Sequence, residues 1–177
     1  MKPRREGGQI YVRLLTEKDA TETYANWLND SLVNQYLESR FKHNSREDVR
    51  AYIKTMIASQ SDYLFGIFDK SNDRHIGNIK IGDINNFHKF GDIGLLIGEK
   101  DYWGKGIATE AIRLVMDYAF EDLHLNKVTA SMYANNRGSY KAFVKNGFRE
   151  LGVLRKHVLF EGSYVDVIKF EKLCEDQ

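Results

Sequence analysis

Cysteine, proline and long apolar runs are nearly absent from this chain of 177 residues. Its single cysteine, Cys174, excludes an internal disulfide and indicates a reducing compartment, so we expect a cytoplasmic protein. No segment approaches the roughly 18 consecutive apolar residues that a membrane-spanning helix needs, so we expect no membrane partner. No repeat or low-complexity linker divides the chain, which predicts one domain over residues 1–177 with its core at about 9–173.

An excess of one charge sign is also absent. The chain has 26 Lys and Arg against 25 Asp and Glu, and this balance argues against a nucleic-acid partner. Residues 124–177 are mildly basic, with nine Lys and Arg against six Asp and Glu, which suits a single anionic ligand. The five histidines show no metal-ligand spacing, and we therefore expect no metal.

Hydrophobic periodicity predicts a mixed α/β fold. Alternating apolar residues indicate strands at about 10–14, 63–68, 75–81, 91–97, 127–133, 152–159 and 164–170. Helical patterns follow two capping boxes, Thr16 with Asp19 and Ser45 with Asp48, and two more cover 105–122 and 138–146. The order βααβββαβαββ predicts a central mixed sheet of about seven strands with helices on both faces.

The most informative segment is a turn that contains two glycines, YWGKGIATEA at 102–111, and leads from a strand into an amphipathic helix. The first turn of a helix has unpaired N–H groups and the positive end of the helix dipole, so this segment is a candidate pyrophosphate cradle. Its spacing fits neither a Walker A loop nor the dinucleotide fingerprint, which disfavours ATP, GTP and NAD. The alternative is that Gly104 and Gly106 only form a tight turn.

Together with a second segment, ANNRGSYKAFVKNGF at 134–148, this loop resembles the GNAT superfamily of acyl-CoA N-acyltransferases. The resemblance is to the branch of ribosomal-protein N-terminal acetyltransferases and related amino-sugar acetyltransferases. The acyl-CoA motif of the superfamily, Gln/Arg-x-x-Gly-x-Gly/Ala, is matched at Gly106 and Ala108, with Trp103 in the first position. The later motif, Asn-x-x-Ser/Ala followed by Lys-x-Gly-Phe, is matched by Asn136, Ser139, Lys145, Gly147 and Phe148.

The resemblance implies a binding site for acetyl-CoA between the strands at 91–97 and 127–133. Pantetheine and the thioester carbonyl are then expected on the backbone amides of Leu95, Leu96 and Ile97. The pyrophosphate is expected on the loop and the first helical turn, at Trp103, Gly104, Lys105, Gly106, Ile107, Ala108 and Thr109. Further candidates are Asn136 and its neighbour Asn135 for pantetheine, with a helix N-cap as the alternative for Asn136, although one asparagine can serve both roles. Arg137, Lys141 and Lys145 are candidates for the 3′-phosphate, unless these three form a solvated charged face.

Two residues are candidates for proton transfer. An amine must lose a proton to become a nucleophile, and Asp92 lies on the strand at 91–97 where relatives often have an acidic residue. The alternative for Asp92 is a strand-edge carboxylate paired with Lys89. Ser139 is the candidate acid for the leaving sulfur, with helix capping or packing as its alternative. Many relatives instead have a tyrosine seven residues after the asparagine, a position that Phe143 occupies here.

The acceptor is expected to be a small-molecule amine or a protein N-terminus. The superfamily selects acceptors with the segment that joins the first two helices, where the candidates are Tyr36, Glu38, Arg40 and Phe41. These residues equally suit an interhelical loop closed by an ion pair. The resemblance favours a nucleotide-linked amino sugar as the acceptor. Its amine is expected to attack acetyl-CoA directly in a ternary complex. The alternatives are a protein N-terminal acetyltransferase and a noncatalytic acyl-CoA sensor. The sequence leaves the oligomeric state open, and a homodimer is one of the states it allows.

Overall fold

The structure is a computed structural model that describes residues 3–176, and it contains one sheet of eight strands. The strands are β1 (Arg4–Glu6), β2 (Ile10–Leu14), β3 (Tyr63–Asp69), β4 (His75–Asn85), β5 (Phe90–Ile97), β6 (Lys127–Tyr133), β7 (Arg149–Phe160) and β8 (Ser163–Leu173). Across the sheet they run β1-β2-β3-β4-β5-β6-β8-β7, and β5 and β6 are its parallel neighbours. The mixed sheet is confirmed, and β1 is the strand that the periodicity missed because it is only three residues long.

The helices are α1 (Glu22–Asn29), α2 (Ser31–Asn34), α3 (Arg46–Ala58), α4 (Ile107–Glu121) and α5 (Arg137–Lys145). The capping box of Ser45 opens α3 as predicted. The box at Thr16 instead opens a single 3-10 turn, and α1 begins later, after Thr21. The Asp19 carboxylate of that turn also binds Arg13 of β2 at 2.7 Å, which fixes the turn to the sheet.

Two apolar clusters cover the opposite faces of the sheet. Because successive side chains of a strand point to opposite faces, Ile10 and Val12 of β2 belong to the cluster under α4 and α5, and Tyr11 belongs to the cluster under α1 and α3. Helices therefore pack on both faces of the sheet, as predicted.

Strands β4 and β5 are apolar on one face and polar on the other. Ile79, Ile81 and Ile93 belong to the cluster under α4. Asn78 and Lys80 occupy the alternate positions of β4 and therefore face the side of α1 and α3. Asn78 and Lys80 form a polar stretch of β4 beside α1 and α3, and they lie opposite Leu96 and Gly94 of β5.

Candidate active site

The strands β5 and β6 separate after Asp92. Their parallel pairing covers three residue pairs and ends at Asp92 opposite Thr129. Beyond this point β5 continues to Ile97 and β6 to Tyr133, and within residues 3–176 no pairing joins these two stretches. A gap therefore opens between the strands, with Asp92 at its closed end.

Asp92 is partly buried and held by one hydrogen bond. Thr129 Oγ1 donates to Asp92 Oδ2 at 2.7 Å. Burial raises the pKa of Asp92 above its usual range, by more than the Thr129 hydrogen bond and the Lys169 charge lower it. A carboxylate with a raised pKa holds a proton more readily near neutral pH, which suits a group that accepts one from an amine.

The backbone of β5 presents amides to the gap. Gly98 N–H donates to the Ile76 carbonyl of β4 at 2.9 Å. Successive amides of a strand point to opposite sides, so the Leu96 amide also faces β4, and the amides of Leu95 and Ile97 face the gap. Two of the three amides predicted to bind pantetheine therefore have the orientation to do so.

The turn after β5 leaves the N-terminus of α4 open. Gly104 and Gly106 have φ angles of +74° and +82°, in the left-handed region that favours glycine. A Cβ at either position would meet no atom within 4 Å. The amide of Glu110 donates to the Gly106 carbonyl, which leaves the amides of residues 107–109 without helical partners. Open space in front of three free amides fits a pyrophosphate group.

Side chains of this turn fix it to the sheet. The Trp103 indole N–H donates to the Ile97 carbonyl at 2.9 Å, at the open end of the gap. The Tyr102 hydroxyl donates to Asp69 at 2.6 Å, and Lys105 Nζ lies 5.6 Å from the centre of the Tyr102 ring. Trp103 therefore connects the turn directly to the strand that borders the gap.

The first turn of α5 places polar groups near the end of β6. Asn136 Oδ1 accepts from the Ser139 amide at 3.2 Å, so Asn136 caps the helix. Within the described part of the chain its side-chain nitrogen donates to no protein atom, and it is free to bind a ligand. The neighbouring Asn135 carbonyl accepts from the Tyr36 hydroxyl at 3.4 Å.

The three basic residues of α5 are exposed but do not converge. Arg137 and Lys145 are about 12 Å apart along the axis at ~1.5 Å per residue, so one phosphate cannot contact all three. Asn146 Nδ2 donates to the Thr109 carbonyl of α4 at 3.0 Å. Lys145 therefore lies at the end of α5 that adjoins the glycine turn, and Arg137 lies at the opposite end.

The tyrosine position of the superfamily contributes no hydroxyl here. Phe143 is 2% exposed and packs in the cluster under α4 and α5. The Tyr140 hydroxyl donates to Glu150 at 2.6 Å, and its ring packs against Phe170. Ser139 remains the hydroxyl that the first turn of α5 offers.

The four candidate acceptor residues form a segment docked on β6 and β7. The Tyr133 hydroxyl donates to Glu38 Oε1 at 2.8 Å and accepts from Arg40 at 2.9 Å. Glu38 and Arg40 are thus joined through Tyr133, which the sequence did not single out. The Tyr36 ring stacks on Phe160 at 5.3 Å.

The fourth candidate, Phe41, is 68% exposed, with the Arg40 guanidinium over its ring at 4.2 Å. Arg40 also donates to the Leu159 carbonyl of β7 at 3.1 Å. Arg40 therefore links the acceptor segment to two strands at once.

A cavity of about 480 Å³ lies beside the gap, between α1, the 3-10 turn Glu38–Phe41, α3 and the sheet. It reaches the stretch of β5 that borders the gap, at Gly94, Leu95 and Leu96. A smaller cavity of about 160 Å³ beneath α3 includes no residue of β5 or β6. The larger cavity is therefore the one placed to hold an acceptor.

Within residues 3–176, no group of three or more His, Cys, Asp or Glu side chains lies close enough to hold a metal ion. None of the helices in this part of the chain is both long enough and apolar enough to cross a membrane.

The sequence and the fold both match known proteins. The family model described as the acetyltransferase (GNAT) domain matches residues 9–149. The chain belongs to the GNAT acetyltransferase family. A relative named "Probable N-acetyltransferase YjcK", from Bacillus subtilis, is 34% identical over 168 residues, which cover 91% of this chain and 92% of the relative. The protein is therefore an acetyltransferase enzyme, and the noncatalytic alternative is set aside.

Solved structures confirm the GNAT fold. Spermidine N-acetyltransferase from Vibrio cholerae, in complex with CoA and spermine, matches with a TM-score of 0.85 at 23% identity, over 96% of this chain and 98% of its own. Ribosomal-protein-S5-alanine acetyltransferase from Vibrio fischeri matches with a TM-score of 0.81 at 22% identity, over 98% of each chain. At these identities the likeness concerns the fold, and the acceptors in the two names differ.

Proposed function

We propose that this GNAT enzyme acetylates the primary amine of a nucleotide-linked amino sugar, by direct attack on acetyl-CoA in a ternary complex. The observation that carries the proposal is the gap between β5 and β6. It has Asp92 at its closed end, the free amides of α4 after its open end and the cavity of about 480 Å³ beside it. A donor in the gap and an amine in the cavity meet at the same stretch of β5.

Acetyl-CoA, the acyl donor of GNAT acetyltransferases, fits the groups that line the gap. Its pyrophosphate would bind the amides of residues 107–109, where open space and the helix dipole favour an anion. Pantetheine would follow β5 and bind the amides of Leu95 and Ile97, with Asn136 donating from the other side. Lys145 is the basic residue of α5 placed nearest the phosphates.

The chain supplies groups for each proton transfer. The Asp92 carboxylate takes a proton from the bound ammonium group, directly or through one water. The amine nitrogen bonds to the acetyl carbonyl carbon, whose oxygen is polarised by a β5 amide, and the carbon–sulfur bond breaks with its electrons on sulfur. After the carbon–nitrogen bond forms, the nitrogen carries one proton more than the amide product, and it loses this proton to water. The thiolate takes the proton of the Ser139 hydroxyl, and the Ser139 oxygen recovers one from solvent.

Four charged groups in an otherwise mainly apolar lining support an amino sugar linked to a nucleotide as the acceptor. Its lining includes two carboxylates, Glu38 and Asp48, and two ammonium groups, Lys42 and Lys80. Hydroxyl groups pair with all four, and phosphates pair with the lysines. A polyamine carries only positive charge, so it would pair with the two carboxylates alone and be repelled by both lysines. A protein N-terminus is the second candidate. Like an amino sugar, it has an oxygen near its amine, in this case the first peptide carbonyl.

The proposal is tested by thiol release from acetyl-CoA with three classes of acceptor: UDP-linked amino sugars, spermidine and peptides with free N-termini. We expect the highest kcat/KM with an amino sugar. A preference for spermidine would contradict the acceptor proposal, and a preference for peptides would favour the second candidate. Asp92→Asn protein is the control for turnover that does not use the site, and calorimetry with CoA verifies that each preparation binds the donor.

A further inference from the structure

The cavity beside β5 contains two unsatisfied hydrogen-bonding groups. Among the residues that the structure describes, Ser39 Oγ and Asn78 Nδ2 are the buried side-chain atoms without a hydrogen-bond partner. Both residues line this cavity. A buried amide N–H without an acceptor destabilises the folded protein, so a ligand oxygen that accepts from it would relieve that cost.

Asn78 is held in one orientation by His75. Its side chain is 5% exposed, and its Oδ1 lies 2.9 Å from His75 Nε2. The His75 ring packs against the rings of Trp27, Tyr24 and Phe68, and burial lowers its pKa, so the ring is neutral at neutral pH. Oδ1 is the amide atom that faces Nε2, so Nε2 carries the ring hydrogen that Oδ1 accepts, and Nδ2 points away from His75.

Three of the charged groups of the cavity have partners within the protein. The carboxylates of Glu38 and Asp48 accept hydrogen bonds from neighbouring hydroxyl groups, and Lys80 pairs with Asp62 at 3.1 Å. Asn78 Nδ2 is a donor that no protein acceptor satisfies, and it requires a carbonyl or hydroxyl oxygen. An ammonium group only donates hydrogen bonds and cannot meet this requirement.

The position of Asn78 relates it to the reacting groups. Asn78 lies opposite Leu96 in the pairing of β4 with β5, one residue from the Leu95 amide that faces the gap. The adjoining surface at Gly94 is open, because a Cβ there would meet no atom within 4 Å. An acceptor in the cavity therefore contacts Asn78 while its amine approaches β5.

We propose that Asn78, oriented by His75, is a specificity-determining residue that donates a hydrogen bond to an oxygen near the reacting amine. The inference rests on the proposed function. It identifies the residue by which the enzyme discriminates between amines that have such an oxygen and amines that lack it.

The test compares Asn78→Leu with the unchanged enzyme on a UDP-linked amino sugar and on spermidine, which has no oxygen. We expect kcat/KM to fall about tenfold for the amino sugar, the effect of one lost hydrogen bond, and to hold for spermidine. Asn86→Leu, the same change at an exposed position of the β4–β5 turn, is the matched control and should leave the ratio unchanged. An equal loss on both amines, or no loss, would overturn the proposal and indicate that only water or packing uses Asn78.

Asn78→Asp keeps the shape of the side chain and replaces the donor with an acceptor. If the leucine variant does not fold, this variant tests whether Asn78 donates a hydrogen bond to the substrate. It should lose activity on the amino sugar and gain activity on spermidine. If the unchanged enzyme acetylates no amine in the panel, the proposed function fails by itself. Calorimetric binding of the amino sugar to the CoA complex then tests Asn78: a dissociation constant about tenfold higher in Asn78→Leu supports its role, and equal or absent binding contradicts it.

Discussion

Asp92 is both partly buried and hydrogen-bonded, and these two effects shift its pKa in opposite directions. Burial raises the pKa of Asp92, while the Thr129 hydroxyl and the Lys169 charge lower it, and the net pKa lies above the usual range. The folded protein therefore holds this proton more tightly than the unfolded chain does. As the pH rises from the pKa of Asp92 in the unfolded chain through its higher pKa in the folded protein, ionisation of Asp92 lowers the free energy of unfolding. Asp92 therefore destabilises the folded protein once it is ionised.

Asp92→Asn should separate catalysis from stability. We expect kcat to fall roughly 100- to 10,000-fold, the usual contribution of a general base. The acidic limb of the pH profile, which follows protonation of Asp92, should disappear from the residual rate. Thermal unfolding at pH 7 should show no loss of stability, because a neutral amide replaces a partly buried charge.

Two variants distinguish the base from a structural role. Asp83→Asn is the same change at an exposed neighbouring position and should leave kcat nearly unchanged. It should move the acidic limb to slightly lower pH, because the Asp83 charge raises the pKa of Asp92. Thr129→Val should move the acidic limb to higher pH, because the pKa of Asp92 rises without its donor, and Thr129→Ser should restore the limb. A pH profile that is the same in all of these proteins would contradict the assignment.

Tyr133 is the residue on which the acceptor segment depends. Tyr133→Phe removes the hydroxyl shared by Glu38 and Arg40, and we expect the KM for the acceptor to rise about threefold to tenfold. The KM for acetyl-CoA should be unchanged, because the donor occupies the gap. Steady-state kinetics with each substrate varied gives both values. Tyr164→Phe, at an exposed position of the β7–β8 hairpin, is the control, and a rise in both KM values would indicate a general loss of structure.

At the scale of elements, the turn between β5 and α4 combines glycines in the left-handed region with open space. A residue other than glycine at Gly106 needs a left-handed backbone, which costs about 1–2 kcal/mol, and places a Cβ in front of the free amides. Gly162 in the β7–β8 turn has φ +78° and the same open surroundings, but lies in a different part of the sheet. The two glycines thus share a strain and differ in location.

Gly106→Ala and Gly162→Ala form a matched pair. Both should lower the free energy of unfolding by similar amounts, since both force alanine to a positive φ. We expect Gly106→Ala alone to weaken CoA binding, by about tenfold or more, because its Cβ lies at the phosphate site. Calorimetric titration with CoA measures the difference, and equal binding by the two variants would remove the phosphates from this turn.

At the scale of the molecule, one sheet carries both apolar clusters, so neither cluster can lose its strands without exposing the other. This arrangement supports the prediction of a single domain. Ile112 of α4 and Ile53 of α3 are both fully buried, on opposite faces. They allow the same substitution to be made on each side of the sheet.

Ile112→Ala and Ile53→Ala should each cost about 2–5 kcal/mol and lower the Tm of one shared transition. Near- and far-ultraviolet circular dichroism should report the same midpoint in both variants. Ile57→Ala, a half-exposed position of α3, is the control and should cost much less. A separate early transition in Ile53→Ala would show that α1 and α3 form an independent unit.

Much of the fold and part of the site follow from local features of the sequence. The strands follow from period-two alternation, α3 from the Ser45 capping box, and the open N-terminus of α4 from its two glycines. Asn136 as a helix cap is equally local. The start of α1 predicted from the Thr16 capping box was wrong. Asp19 of that box binds Arg13 of β2, which holds residues 17–19 in a short turn against the sheet. Asn78 alternates with the buried Gly77 and Ile79 in β4, and this local pattern indicates a polar residue on the other face of the strand.

By itself the sequence determined the order of elements, the family motifs and the glycine turn, because these depend on backbone geometry within a few residues. The tertiary structure alone decided which side chains meet. Thr129 reaches Asp92 across 37 positions of sequence, and Tyr133 reaches Glu38 across 95. Such contacts depend on strand register and helix docking, which are set by the burial of the whole core and not by any one segment.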